Sequence, residues 1–201
     1  MKIKNNIPTL RFKEFSGDWE EKKLADIGEF KSGSGFPEKE QGGRKGTPFF
    51  KVSDMNLPTN TVLMKKANHY VTEEQINRMK LKPIKDDSII FAKVGAAIFL
   101  ERKRLAKNFI IDNNMMAFMP KGNIDFLYQW TKRVRLSRFA QVGALPSYNA
   151  SDLKTIKISI PCLQEQIKIA SFLTSVDTKI EQLSKKDTLL KEYKRGVMQK
   201  I

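Results

Sequence analysis

PCLQEQIKIASFLTSVDTKIEQLSKKDTLLKEYKRGVMQKI, residues 161–201, decides how the rest of the chain is read. Apolar side chains recur in it at alternating steps of three and four, through Ile169, Leu173, Val176, Ile180, Leu183, Leu190, Val197 and Ile201. Asp187 and Lys194 fill the two polar positions of the same series. This is the heptad seam of a coiled-coil helix. Lys179, Glu181, Lys185, Lys186, Lys191, Glu192 and Arg195 fall between, so the other faces are solvated and the helix is amphipathic. Pro161 suits a first helical position. At about 1.5 Å per residue the helix would run about 60 Å, well beyond the average globular helix.

Such a stripe is costly to leave in water. Eight apolar seam positions, at roughly 1.5 to 3 kcal/mol each for full burial, match or exceed the roughly 4 to 15 kcal/mol lost on association. A partner helix is therefore expected, the alternative being a helix folded back on its own domain. Asp187 and Lys194 occupy equivalent heptad positions, so a parallel in-register pair would stack like charge on like. An antiparallel pair brings unlike charges within about one turn. The expected interface is an antiparallel homodimer along the ten seam positions.

With 201 residues and 40% hydrophobic content, the chain can bury one ordinary core. The expected organisation is a globular domain over 1–160 and a long helix over 161–201. Net charge is +15; the helix holds eight Lys or Arg against five Asp or Glu, so +12 falls on the domain. That excess points to a polyanion, nucleic acid before membrane. Cys162 is the single cysteine, which excludes an internal disulfide and a cysteine-based zinc site. MKIKNNIPTLRFKEF at the start has no apolar core, and the longest apolar run, Ile89 to Leu100, is interrupted by Lys93. A cytoplasmic protein without a membrane partner is expected.

Pro8 to Trp19 has no clear period and reads as an extended arm. Trp19 to Phe30 predicts a short strand or helix pair that buries Leu24, Ile27 and Phe30. Lys31-Ser32-Gly33-Ser34-Gly35 and Gly42-Gly43-Arg44-Lys45-Gly46 punctuate a polar loop that is solvated or faces a ligand. Pro48 to Val52 predicts a strand, and Thr72 caps a helix that stops by Pro83. Ser88 to Ala92 is the expected central strand, with further strands at Phe109 to Ile111 after a basic turn, and at Met115 to Met119. Phe126 to Phe139 has helical spacing, and Ile156 to Ile160 alternates as an edge strand would. The domain reads as α+β with one mixed or antiparallel sheet.

Catalytic patterns fail. Gly42 to Thr47 lacks the ending of a phosphate-binding loop, Gly33-Ser34-Gly35 is only a fragment of a dinucleotide fingerprint, and no nucleophile elbow occurs. His69, the single histidine, has no metal-ligating neighbour and is expected to pack beside Tyr70. Asp86-Asp87 and Glu21 lack the companions of a metal-dependent nuclease. Binding features remain. Arg102, Lys103, Arg104 and Lys107 are expected on a turn between strands, where they would meet phosphates or simply be solvated. Asn113-Asn114 and Ser147-Tyr148-Asn149 carry groups that can read base edges, against the alternative of turn chemistry. Lys31, Ser34, Arg44, Lys45, Lys93 and Arg133 complete the expected DNA-binding set.

Several blocks resemble one family. Pro8-Thr9-Leu10-Arg11-Phe12 with Trp19 and Leu24, Gly46-Thr47-Pro48-Phe49-Phe50-Lys51-Val52-Ser53-Asp54-Met55, Asp87 to Gly95, Ile160 to Ala170, and the closing Lys194-Arg195-Gly196-Val197-Met198-Gln199-Lys200-Ile201 are similar to the specificity subunit of Type I restriction-modification enzymes. The resemblance implies a target recognition domain followed by a conserved helix, in a subunit that chooses the DNA site and neither methylates nor cuts. It further implies a modification subunit that holds S-adenosylmethionine and methylates adenine, and a restriction subunit that translocates and cleaves; no cofactor is expected in this chain. Family members carry two recognition domains and two helices, so this chain looks like a half subunit, completed by a second copy. The rival is a free-standing sequence-specific DNA-binding protein or restriction nuclease.

Overall fold

The computed structural model describes residues 8–141 and 143–199. In chain order β1 (Glu20–Lys23), α1 (Leu24–Ile27) and β2 (Gly28–Ser32) are followed by β3 (Thr47–Phe50), β4 (His69–Val71) and α2 (Glu73–Arg78). Then come β5 (Ser88–Ala92), β6 (Lys103–Ala106), β7 (Ile110–Ile111) and β8 (Met115–Pro120). The chain continues through α3 (Ile124–Arg133), α4 (Ala150–Lys154), β9 (Lys157–Ile160) and α5 (Leu163–Met198).

Among the described residues the strands form three sheets where the sequence predicted one. The main sheet is antiparallel throughout, in the order β2-β8-β5-β6. A mixed sheet, β4-β3-β7, joins an antiparallel and a parallel pair, and β1 pairs with β9 alone. Side chains of the main sheet alternate between two cores, as a period of two requires. Ile89, Phe91, Met116 and Phe118 pack with Phe126 and Leu127 of α3 and with Leu153 and Ile158. Ile90, Met115, Ala117 and Met119 pack with Phe50, Phe109 and Ile111. Because both faces are covered, all five residues of β5 are buried. A strand in that position is apolar on both faces and needs no alternation.

Local chemistry sets the boundaries. Thr72 Oγ1 accepts from Gln75 N–H at 3.3 Å while the Gln75 side chain accepts from Thr72 N–H at 3.0 Å, a reciprocal cap that starts α2. Gly33 lies where a Cβ would sit 1.8 Å from the Asp112 carbonyl oxygen, so only glycine lets this loop reach the start of β8.

The C-terminal expectation is corrected. α5 is one helix of 36 residues, and among the described residues it forms no coiled coil. Pro161 precedes the helix, which starts at Leu163. Its first turns are docked on the domain. Glu165, fully buried, accepts from Arg11 Nε and Nη2 at 2.7 and 2.6 Å and from Trp19 Nε1 at 3.3 Å. Phe172 meets Phe12 edge-on at 5.9 Å, and Asp177 accepts from Gln129 at 2.8 Å and Lys132 at 3.0 Å. Ile169 packs against the first core, and Leu173 is half-buried beside Phe12 and Trp19. Hence the first two seam positions face their own domain, not a partner helix. A 3.5-residue period records that one face is covered and not what covers it. From Thr174 to Gln199 every residue is exposed, and Ile201 lies outside the described residues.

Candidate nucleic-acid interface

One end of the main sheet collects polar groups from distant parts of the sequence. β2 and β5 end there and β8 begins there, because Ser32 pairs with Met116 and Ala92 with Met115. The chain beyond β2 follows the turn before β8: Gly33 N–H donates to Met115 O and Ser34 N–H to Ile111 O, and Ser34 bridges to Asp112. Beyond β5, Lys93 N–H donates to Asn114 O at 2.8 Å, while Lys93 O accepts from Tyr148 N–H at 3.3 Å. Ser147 pairs with both Val94 and Gln141. Ser34, Lys93, Asn113, Asn114 and Ser147 are thereby brought together, and the two asparagine side chains are exposed.

Beneath them lies the Asp112 carboxyl, 5% exposed and bonded to Asn114 N–H at 3.1 Å. Burial raises its pKa above the ordinary aspartate range. Around this end the 3-10 turn Ala96–Leu100 leads into Glu101, whose φ of 50° is left-handed. That conformation costs a non-glycine residue about 1 to 2 kcal/mol. The Glu101 carboxylate offsets it by accepting from Leu136 N–H (3.0 Å), Ser137 N–H (2.8 Å) and Lys103 Nζ (2.6 Å). Partial burial would raise its pKa, yet Lys103 and Ser137 hold it below the usual glutamate value.

Several expected contacts are corrected. Arg102 to Lys107 is not a basic turn, since β6 runs through it. Lys103 is 4% exposed, and its ammonium is satisfied by Glu101 and the Val134 carbonyl. Arg104 is half-buried and donates to the carbonyls of Asn60, Lys103 and Met55; burial lowers its pKa. Tyr148 is buried, its hydroxyl donates to Ala92 O, and burial pushes its pKa far up. Asn149 precedes α4, with its N–H held by Asp152. Lys103, Arg104 and Tyr148 are thereby committed to partners within the domain, while Asn149 stays exposed.

The other expected residues are scattered. Lys31 lines a shallow hollow with Glu29, Asp86 and Asp87, and Lys107 pairs with Asp87 at 3.3 Å. Arg44 and Lys45 are exposed on the loop beside β4. His69 Nδ1 accepts from Gly42 N–H at 3.0 Å, and Phe36 meets its ring edge-on. Arg102 is half-buried: it donates to the Asn56 side chain, and its Nε is buried without a partner among the described residues. Sequence reasoning passed over Gln141, which no motif marks. Arg133, Arg135 and Arg138 line one groove with Trp130, Phe139 and Lys157.

The family profile of the Type I restriction modification DNA specificity domain matches residues 16–192. The chain belongs to this family. The Type I restriction enzyme MjaIX specificity subunit of Methanocaldococcus jannaschii is 25% identical over 194 residues, covering 87% of this chain and 41% of that protein. In fold the specificity domain is similar to a chain of a type I R-M system, with a TM-score of 0.66 at 15% identity over 85% of this chain and 41% of that one. It is also similar to the Type-I restriction-modification S subunit from M. genitalium, with a TM-score of 0.57 at 18% identity over 92% of this chain and 43% of that one. The chain therefore spans less than half the length of each of these relatives. Among the described residues of the specificity domain, no helix is long and apolar enough to cross a membrane.

Proposed function

We propose that this chain is the non-catalytic DNA-recognition part of a Type I restriction-modification system and directs adenine methylation and cleavage by partner subunits. The observation that carries the reading, beside family membership, is the sheet end itself. Exposed amides of Asn113 and Asn114 stand with Lys93, Ser34 and Ser147 on a framework of backbone bonds, in a domain with a strong positive excess. Amides can pair with adenine edges in the major groove, and cations supply the sequence-independent attraction. S-adenosylmethionine would be held by the modification subunit, and a restriction subunit would complete the assembly.

The second recognition unit comes from a second copy of this chain, paired antiparallel along the exposed part of α5. Val176, Ile180, Leu183, Leu190 and Val197 are 39 to 59% exposed there and support a partner. A helix of 36 residues spans about 54 Å, more than one turn of DNA at about 34 Å. Two-fold symmetry then gives a target of two like half-sites around an unread spacer. Cells that express this chain with its modification subunit should methylate adenines in an interrupted palindrome. Adenine methylation that does not depend on this chain would remove the recognition role, and a continuous or asymmetric motif would remove the homodimer.

A further inference from the structure

Among the described residues outside the N-terminal arm and α5, six large apolar side chains are exposed, and four of them, Phe99, Leu100, Phe139 and Leu145, stand around the same end of the main sheet. Phe99 and Leu100 are each 60% exposed. Single exposed apolar residues are ordinary, but a cluster on a stiff support marks a contact surface. The support here is stiff on both sides. Gly95, with φ at 76°, donates its N–H to Pro146 O at 2.8 Å, and Ile98, just before the pair in the same turn, is buried. Glu101 then closes the turn through its bonds to Leu136, Ser137 and Lys103. The same bonds fix the Leu136–Phe139 turn, which carries Arg138 and Phe139 into the arginine groove. No carboxylate lines that groove, and among the described residues Arg133, Arg135 and Arg138 form no ion pair.

We propose that Phe99 and Leu100 form a wedge that enters double-stranded DNA between neighbouring base pairs, while Arg133, Arg135 and Arg138 hold the adjoining phosphates. The proposal rests on the DNA-recognition reading above and adds how the duplex is deformed. Neither wedge side chain can exchange hydrogen bonds with base edges, so neither reads a base directly. An aromatic ring beside a branched aliphatic chain can replace the stacking that is given up when one step opens. The guanidiniums of the groove that the neighbouring Leu136–Phe139 turn enters fit the phosphates that a kink brings close. A protein partner would need the apolar tip but not the arginines, so charge favours DNA.

The test uses the full chain with its modification subunit and duplexes that carry the mapped methylation site, with 2-aminopurine placed at successive steps and a dye at each end. Wild type should brighten 2-aminopurine at one step and shorten the end-to-end distance. F99A/L100A should abolish both signals and weaken binding about tenfold, or about 1.4 kcal/mol, with its circular dichroism unchanged. R135A/R138A should keep the brightening and lower the salt slope by about one for each phosphate no longer held. Wild-type binding without brightening or bending overturns the wedge alone. Loss of the modification subunit from F99A/L100A, with its bending intact, reassigns the tip to protein docking and also overturns the wedge. Failure of the wild-type complex to bind any duplex sinks the DNA-recognition reading and the wedge with it.

Discussion

The two halves of α5 are held by different forces. The half nearest the domain is fixed by contacts that span the sequence: Arg11 and Trp19 on Glu165, Phe12 against Phe172, and Gln129 with Lys132 on Asp177. Beyond Asp177 the helix is exposed through Gln199, and its ion pairs among the described residues, Lys185 with Glu181 and Lys191 with Asp187, are local i,i+4 contacts. One periodic pattern runs through both. What differs is what covers it: the chain's own domain near the root, and solvent further out.

Breaking the root should give the largest effect. Arg11→Ala leaves the buried Glu165 carboxylate without its cation, and Tm should fall by about 10 °C, read by calorimetry. The double variant Arg11→Met with Glu165→Leu should recover most of that loss, because the buried charge is removed together with its partner. A Tm unchanged by Arg11→Ala would show that the arm does not hold the root.

Leu183→Asp tests the outer half. It should weaken self-association roughly 100-fold in sedimentation while changing monomer stability by no more than about 0.5 kcal/mol. A monomeric wild type would end the assignment of this stripe to a second copy.

The legibility of the sequence follows the same division. β5 is legible because a strand covered on both faces must be apolar throughout, and Ser88 to Ala92 is nearly so. The cap at Thr72 is legible for a local reason, since both partners lie within three residues. β6 escapes such a reading because Arg102, Lys103 and Arg104 look like a solvated turn. Lys103 is tolerated inside only because Glu101 and Val134 meet its ammonium, and the Val134 contact is not sequence-local. Tyr148 looks like a base reader for the same reason: its acceptor, Ala92 O, lies far away in the chain. At the candidate site, Asn113 with Asn114 and Lys93 can be picked out by residue type. Their meeting with Ser34 and Ser147 depends on strand register, which a single sequence does not display.

Acid should loosen the root before the core. The Asp177 carboxylate is held below the ordinary aspartate value of 3.8 by Gln129 first and Lys132 second. A depressed folded pKa contributes stability above 3.8, which is lost as pH falls through the lowered value. Exposure limits that contribution to at most about 1 kcal/mol. Amide exchange around Gln129 to Lys132 should rise below pH 3.8, and Asp177→Asn should flatten the rise. Smallest of all, Asp187→Ala removes the pair with Lys191 at 2.7 Å. It should cost about 0.3 to 0.5 kcal/mol of local helix stability and leave the root untouched, as helical circular dichroism against temperature would register.

The seat of α5 also has a mechanical meaning. A rigid rod of 36 residues is about 54 Å long, so a tilt of about 1° at its base moves the far end by about 1 Å. The base is clamped at several separate places, among them Arg11 on Glu165, Phe12 on Phe172 and Lys132 on Asp177. Contacts spaced along the rod's own axis fix its direction as well as its position. Whatever grips the outer half therefore has its distance and angle to the recognition surface gauged by side chains at the opposite end of the helix.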